Sequence, residues 1–362
     1  MLDFLMLMCV PLIIALGALF FFKGKVTIYE FLGQLGVVAV CVGICLAVAY
    51  NSSTTDTEIW NGQVTSRTRD VVSCSHSYDC NCYTDSKGNR HCSTCYEHAF
   101  DVDWTVHATT GEAIDIDRED RQGLIEPKRW DAVYPGQPFS SQHTFTNYIR
   151  ANPDSVLLGT KGDVVKFAAM LPPYPDTVYD YYSHDAVVNM GVPNIDMNTW
   201  NWLLANNVNK LLGPSKQVNV ILIFVPTDDA SYMLALKDKW MGGKKNDVTV
   251  VIGSKDGHKV EFADVMSWST NSDLKIVLKD SIEEIGTLDQ RDAIVKTIAT
   301  TVQNKFVRMH MKDMKYLMRS FQPSGTSLWV SFIISVLLSI GLAIWSVKND
   351  ITDDSSSYNS RY

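Results

Sequence analysis

Residues 31–50 read FLGQLGVVAVCVGICLAVAY, a run without one charged side chain. At a rise of 1.5 Å per residue, about twenty such positions cross the ~30 Å hydrocarbon core of a bilayer. The stretch predicts a transmembrane helix, so the fold has to be built around a membrane. Working outward, LMLMCVPLIIALGALFFF at 5–22 precedes it and SLWVSFIISVLLSIGLAIWSV at 327–347 lies near the other end. Spans are assigned to 3–22, 31–50 and 327–347. The first run has the length of a signal peptide, but no basic segment precedes it and a second span follows after a short loop. A retained helical hairpin is expected.

Everything from Asn51 to Thr326 then sits on one side of the membrane. The short segments on the other side carry Lys23, Lys25, Lys348 and Arg361, and no basic residue precedes the first span. Positive charge in short loops marks the cytoplasmic side, which places the large domain outside the cytoplasm. Lys305, Arg308, Lys312, Lys315 and Arg319, just before the third span, count the other way. The composition is 46% hydrophobic with a formal charge of −8, which suggests no nucleic-acid partner. Between the spans about 275 residues remain, enough for two domains.

The most unusual part of that region is CSHSYDCNCYTDSKGNRHCSTCYEH at 74–98, which holds five of the eight cysteines. Asp85, Ser86, Gly88 and Asn89 are turn formers, so a hairpin centred on Lys87 is expected. Cys82 then faces Cys92, with Cys80 on the same face, while Cys95 has the opposite parity in a regular strand. Three readings stand for Cys74, Cys80, Cys82, Cys92, Cys95 and His98. A zinc ion could be the cofactor, held by Cys80, Cys82, Cys92 and Cys95 or with His98 replacing one of them. Disulfides would pair four cysteines and leave one over. A reactive thiol beside a histidine is the third. An oxidising compartment favours disulfides and a reducing one favours zinc; either way the role is a structural staple.

Around this cluster, 53–150 reads as a Cys-rich β-domain. Asn61-Gly62 looks like a hairpin turn between β-formers, and Phe100, Val102, Trp104 and Val106 alternate as in a half-buried strand. Residues 151–196 form a Pro- and Tyr-rich connector. From 197 to 322 the pattern is α/β. Met197, Trp200, Leu204, Val208 and Leu211 have helical spacing, with Gly213-Pro214 as a stop. VNVILIFV and VTVVIG read as buried strands joined by a helix after Thr227, hence a parallel pair. Helices are expected at 272–285 and 288–321. On the second of these, Lys305, Arg308, Lys312, Lys315 and Arg319 fall within an arc of about 80°. That basic stripe is either a solvated face or a contact for anionic lipid head groups. A polar tail follows at 348–362.

No phosphate loop, dinucleotide fingerprint, zinc-protease or serine-hydrolase motif occurs. Asp176, Asp180, Asp228, Asp229, Asp247 and Asp256 lack the spacing of a calcium loop, and solvated turns account for most of them.

The order of elements from Met197 to Phe321, with Trp240, Gly242, Lys244, Val248 and Val251 in the pattern W-x-G-x-K-x-x-x-V-x-x-V, resembles the TPM domain family. That resemblance implies an α/β sandwich, usually extracytoplasmic, with phosphatase activity in some members and assembly roles in others. The family's acidic positions have no residue-by-residue match here. DTEIWNGQV, CSHSYDCNC, CSTCYEH, RQGLIEPKRW and HTFTNYIRANPDS resemble uncharacterised membrane proteins of large tailed bacteriophages, which implies a phage product in the host inner membrane. The sequence as a whole predicts an α+β membrane protein: a transmembrane hairpin, a Cys-rich β-domain, a TPM-like domain and a C-terminal transmembrane helix. The expected role is non-enzymatic. Its expected partners are the bilayer and an unidentified membrane or envelope protein. A TPM-type phosphate-ester hydrolase and a virion-associated or assembly factor are the alternatives.

Overall fold

The computed structural model describes residues 2–22, 24–152, 165–180, 183–320 and 323–349. Lys23, Arg361, the tail from Asp350 and the side chain of Arg319 lie outside the described residues. The fold is mixed α+β and divides into two compact units, Met1–Asp56 with Thr146–Pro153 and Met314–Tyr362, and Thr57–Phe145 with Asp154–Asp313.

The first unit is a three-helix bundle of α1 (Leu2–Phe21), α2 (Ile28–Thr54) and the C-terminal helix Gly325–Asn349. All three are long and apolar enough to cross a membrane. Thr27 and Glu30 form a reciprocal capping box that starts α2. Leu7, Val38 and Val42 pack at the centre, while Leu5, Ile13, Val40 and Ile344 stay on the outer face. In lipid, apolar contacts alone give little preference for helix association, and close approach through small residues matters more. The C-terminal helix supplies Ser331, Ser335, Ser339 and Ser346, all buried. Ser339 donates to the Pro11 carbonyl (3.3 Å), and Gln34 Nε2 donates to Ser346 Oγ (2.7 Å).

The second unit opens with β1 (Thr55–Val72), followed by β2 (Ser77–Thr84), β3 (Arg90–Tyr96), β4 (Asp101–Ala108), β5 (Ala113–Ile116), the single turn α3 (Lys128–Asp131) and β6 (Pro138–Thr146). One sheet has the order β5-β4-β1-β6, and among the described residues β2 and β3 pair only with each other. β4 buries Val102, Trp104 and Val106 against Val64, Ile116 and Phe139, but the expected alternation is incomplete: Asp101 and Thr105 are buried as well, and Phe100, before the strand, is exposed. Asn61-Gly62 is not a turn but lies inside β1. Asn61 is buried, donating to Asn219 Oδ1 (2.9 Å) and accepting from Ser140 Oγ (2.8 Å). A Cβ on Gly62 would lie 2.5 Å from Thr109 Oγ1, so the glycine serves close packing.

Two-residue strands β7 (Val178–Tyr179) and β8 (Ser183–His184) precede a second sheet of β9 (Val187–Asn189), β10 (Asn219–Val225), β11 (Asp247–Gly253) and β12 (Phe262–Ser267), in the order β12-β11-β10-β9. β10 and β11 are parallel and buried at every position, as continuous apolar runs should be. Helix α4 (Met197–Leu204) does not stop at Gly213-Pro214; it runs through a π-turn at Ala205–Asn209 into α5 (Lys210–Lys216). The π-turn places Asn209 so that its amide bonds both N–H and C=O of Val220. Pro214 fits within the last turn, and left-handed Gln217 ends the helix. Helix α6 (Tyr232–Lys239) joins β10 to β11 and packs on the face of Ile221, Ile223 and Val251, whereas α7 (Asp273–Ile285) and α8 (Arg291–Lys305) pack with α4 and α5 on the opposite face. Leu274, Leu278 and Ile282 of α7 and Ile294, Ile298 and Val302 of α8 enter the core.

The expected helix 288–321 breaks at Phe306, where the chain turns extended and buries the ring. Val307 N–H donates to Ser269 Oγ and its carbonyl accepts from Thr270 N–H. A 3-10 segment, Met311–Ser320, follows. The five cations therefore do not share one α-helical face.

Candidate metal centre at the neck of the Cys-rich arm

β1 and β4 are neighbours, and the last pair of their ladder is Val72 with Asp101. Residues 73–100 therefore leave and re-enter the sheet at one place as an arm. Its hairpin turns at Asp85–Asn89, centred on Lys87 as the turn formers indicate, with Asp85 Oδ1 accepting from the N–H groups of Lys87 and Asn89. Neither face of the arm is covered: no residue of β2 or β3 is buried. A bare two-stranded hairpin is marginal in water, so it needs covalent help.

That help is two nested disulfides, Cys80–Cys95 and Cys82–Cys92. Sulfurs paired this way are not thiolate ligands, so the zinc set Cys80, Cys82, Cys92 and Cys95 is replaced by the disulfide alternative. The parity objection to Cys95 fails because of a β-bulge. Cys80 pairs with Ser93 and Tyr83 with His91, leaving Asn81 and Cys82 opposite Cys92 alone. Asn81 takes a left-handed φ of 47°, tolerable for asparagine, and the extra residue brings Cys80 onto the face of Cys95.

The fifth cysteine is at the neck. Buried Cys74 lies just before β2 with His76, and His98 lies just after β3 with Asp101. One ligand atom from each falls within 4.8 Å of the other three, so this cluster could bind a metal. Cys74 Sγ is 3.6 Å from His98 Nδ1, and His98 Nδ1 is 3.4 Å from Asp101 Oδ1. His76 Nδ1 is 3.5 Å from Asp101 Oδ2, and the two imidazoles meet edge to face at 5.9 Å. Asp101 is fully buried. Its Oδ2 accepts from Ser75 N–H (2.9 Å), Ser75 Oγ (3.1 Å) and Arg118 (2.9 Å). These donors, the Ser75 N–H first, hold the carboxyl far below the usual carboxylate range against the opposing effect of burial. Arg118 also binds Asp103, which balances its charge. Beside the cluster a depression of about 570 Å³ is lined by His76, Asp103, Asp115, Asp117, Glu119 and Asp120, among others. Arg118 and Arg121 also line it, so the five carboxylates keep an excess of negative charge that is only partly offset.

Cys74 and His98 were legible as members of the cluster, whereas His76 and Asp101 were missed as ligand candidates. The available signal was a pair of short motifs, C-x-H at 74–76 and H-x-x-D at 98–101, flanking the hairpin.

The basic residues before the third span separate. Lys305 approaches Asp273 (3.6 Å) and Arg308 binds buried Glu58 (2.5 Å), while Lys312 and Lys315 are exposed. The acidic residues are mostly engaged at the surface: Asp228 with Lys255, Asp229 with Lys166, Asp180 near Arg129, and Asp256 with the N–H groups of His258 and Lys259. Asp247 is instead buried in the second unit. Comparison of the chain with family models, curated proteins and solved structures finds no match.

Proposed function

We propose that the chain is a non-enzymatic, membrane-anchored protein that presents the disulfide-stapled arm as a protein-interaction surface outside the cytoplasm. The observation that carries this reading is the arm itself. Tyr78, Tyr83 and Tyr96 are 51%, 65% and 58% exposed on a hairpin whose shape is set by disulfides and not by a core. Rigid exposed tyrosines supply contact area at low entropy cost, a property shared by binding surfaces. Two disulfides support an oxidising compartment, and hence the outside. The sequence resemblances add that the membrane is the inner membrane of a bacterial host, the protein phage-encoded and its second sheet TPM-like.

A photo-crosslinking residue in place of Tyr83, in the full-length protein expressed in its host membrane, tests this directly. The expected result is a discrete crosslinked band with one membrane or envelope protein, lost on prior reduction of the arm. Only uncrosslinked protein under these conditions would sink the reading. Turnover of a generic phosphomonoester by the purified protein would favour the hydrolase alternative.

A further inference from the structure

We infer that Cys74, His76, His98 and Asp101 form a binding site for one divalent transition metal ion of the zinc class, which clamps the neck of the arm to β4. The site goes beyond the interaction reading, because the ion would be held whether or not the arm meets a partner.

The geometry fits such an ion. Bonds of 2.0–2.3 Å in a tetrahedron put neighbouring ligand atoms about 3.3–3.8 Å apart. The Cys74–His98 and His98–Asp101 separations of 3.6 and 3.4 Å already lie in that range. An independent sign is the pair of buried polar atoms that hydrogen bonding leaves over. Among the described residues, Asp101 Oδ1 and His76 Nδ1 have cluster side chains near them but no hydrogen bond of normal geometry, although Asp101 is fully buried. A buried carboxylate oxygen is seldom left so, and an ion is one of the few occupants that would satisfy it. Meanwhile Oδ2 is fixed by Ser75 and Arg118, the outer contacts that orient a ligating carboxylate.

The donor set selects the ion. One sulfur, two imidazoles and one carboxylate suit zinc or its neighbours, whereas calcium and magnesium want six or more oxygens. Binding releases the Cys74 thiol proton to solvent as the metal–sulfur bond forms, and no oxidant is required. Thiolate and carboxylate together offset the two positive charges. Cys74 has no disulfide partner in the arm, where the other four cysteines are paired with each other.

The test uses the full-length protein in detergent with its disulfides intact, stripped of metal and titrated with Co²⁺ and then Zn²⁺. One Co²⁺ per chain should bind with the intense visible absorption of a tetrahedral site and a thiolate charge-transfer band, and Zn²⁺ should displace it. Cys74→Ser should abolish the charge-transfer band, and His98→Ala should weaken binding roughly tenfold or more. A readout free of variants is alkylation of Cys74 in the unmutated protein, which Zn²⁺ should slow. Absence of stoichiometric binding, a charge-transfer band that survives Cys74→Ser, or Cys74 alkylation indifferent to Zn²⁺ would each overturn the site.

Discussion

Glu58 of β1, 1% exposed, accepts a 2.5 Å hydrogen bond from Arg308, a residue that follows α8. The same carboxylate takes Trp60 Nε1 at 2.8 Å and Lys245 Nζ at 3.3 Å. Arg308 also donates to the Gln217 carbonyl. The pair thus ties the first sheet to the chain leaving the last core helix.

Removing one partner of a buried ion pair strands the other charge, at a cost of about 3–5 kcal/mol. Arg308→Ala leaves Lys245 and Trp60 on Glu58, so it should destabilise the second unit by less than that ceiling but by more than about 1 kcal/mol in urea unfolding of the solubilised protein. Lys312→Ala, on an exposed side chain, should stay within about 0.5 kcal/mol. Equal effects from the two variants would return Arg308 to the status of a surface cation.

The disulfides close loops with sequence separations of 15 and 10 residues. Cross-links of this span are worth about 2–4 kcal/mol, and here they act on a hairpin with no buried face. Replacing Cys82 and Cys92 by serine should raise hydrogen exchange through 77–96 and leave β10 and β11 as protected as before. Loss of protection across both sheets would show that the arm supports the fold it projects from.

Asp247 predicts a pH signature. Burial pushes its pKa up to about 7, against donors from Lys244 N–H, Tyr174 Oη and Asn219 Nδ2. The unfolded carboxyl titrates near 3.9, so between ~4 and ~7 the folded state holds a proton that the unfolded state has lost. Stability from this group is complete below about pH 4 and declines as pH rises to about 7, by at most about 1.4 kcal/mol per pH unit. Subtracting the Asp247→Asn profile from that of the unmutated protein should isolate this decline. Parallel profiles would mean that Asp247 is ionised in the fold.

Metal removal should act locally. A chelator that strips the neck is expected to raise hydrogen exchange at 73–76 and 97–101, while the hairpin between its disulfides stays protected. An unchanged neck after verified removal would show that Ser75 and Arg118 suffice to hold Asp101.

The parts of the fold legible in the sequence are those where a local pattern and the tertiary environment agree. Uncharged runs became apolar helices, and VNVILIFV and VTVVIG became a buried parallel pair. Where tertiary demands overrode local preference, the reading failed. Asn61-Gly62 has turn chemistry, but Asn61 is used to bond Asn219 and Ser140, and Gly62 to admit Thr109. Cations at helical spacing across 305–319 hid a break that Phe306 makes by docking into the core. The neck was half legible: Cys74 and His98 belonged to the cluster as read, but the four side chains converge only because Val72 and Asp101 pair, a long-range contact that C-x-H and H-x-x-D do not reveal by themselves.

Pairing of Val72 with Asp101 has a wider consequence. An excursion that begins and ends at one rung of a ladder can be lengthened, shortened or exchanged without changing the register of the strands that carry it. With its cross-links, turn and candidate ion all inside or at the border of 73–101, the arm has the makings of a portable cassette. Selection could alter what this protein touches while the sheet beneath, and the three apolar helices, stay as they are.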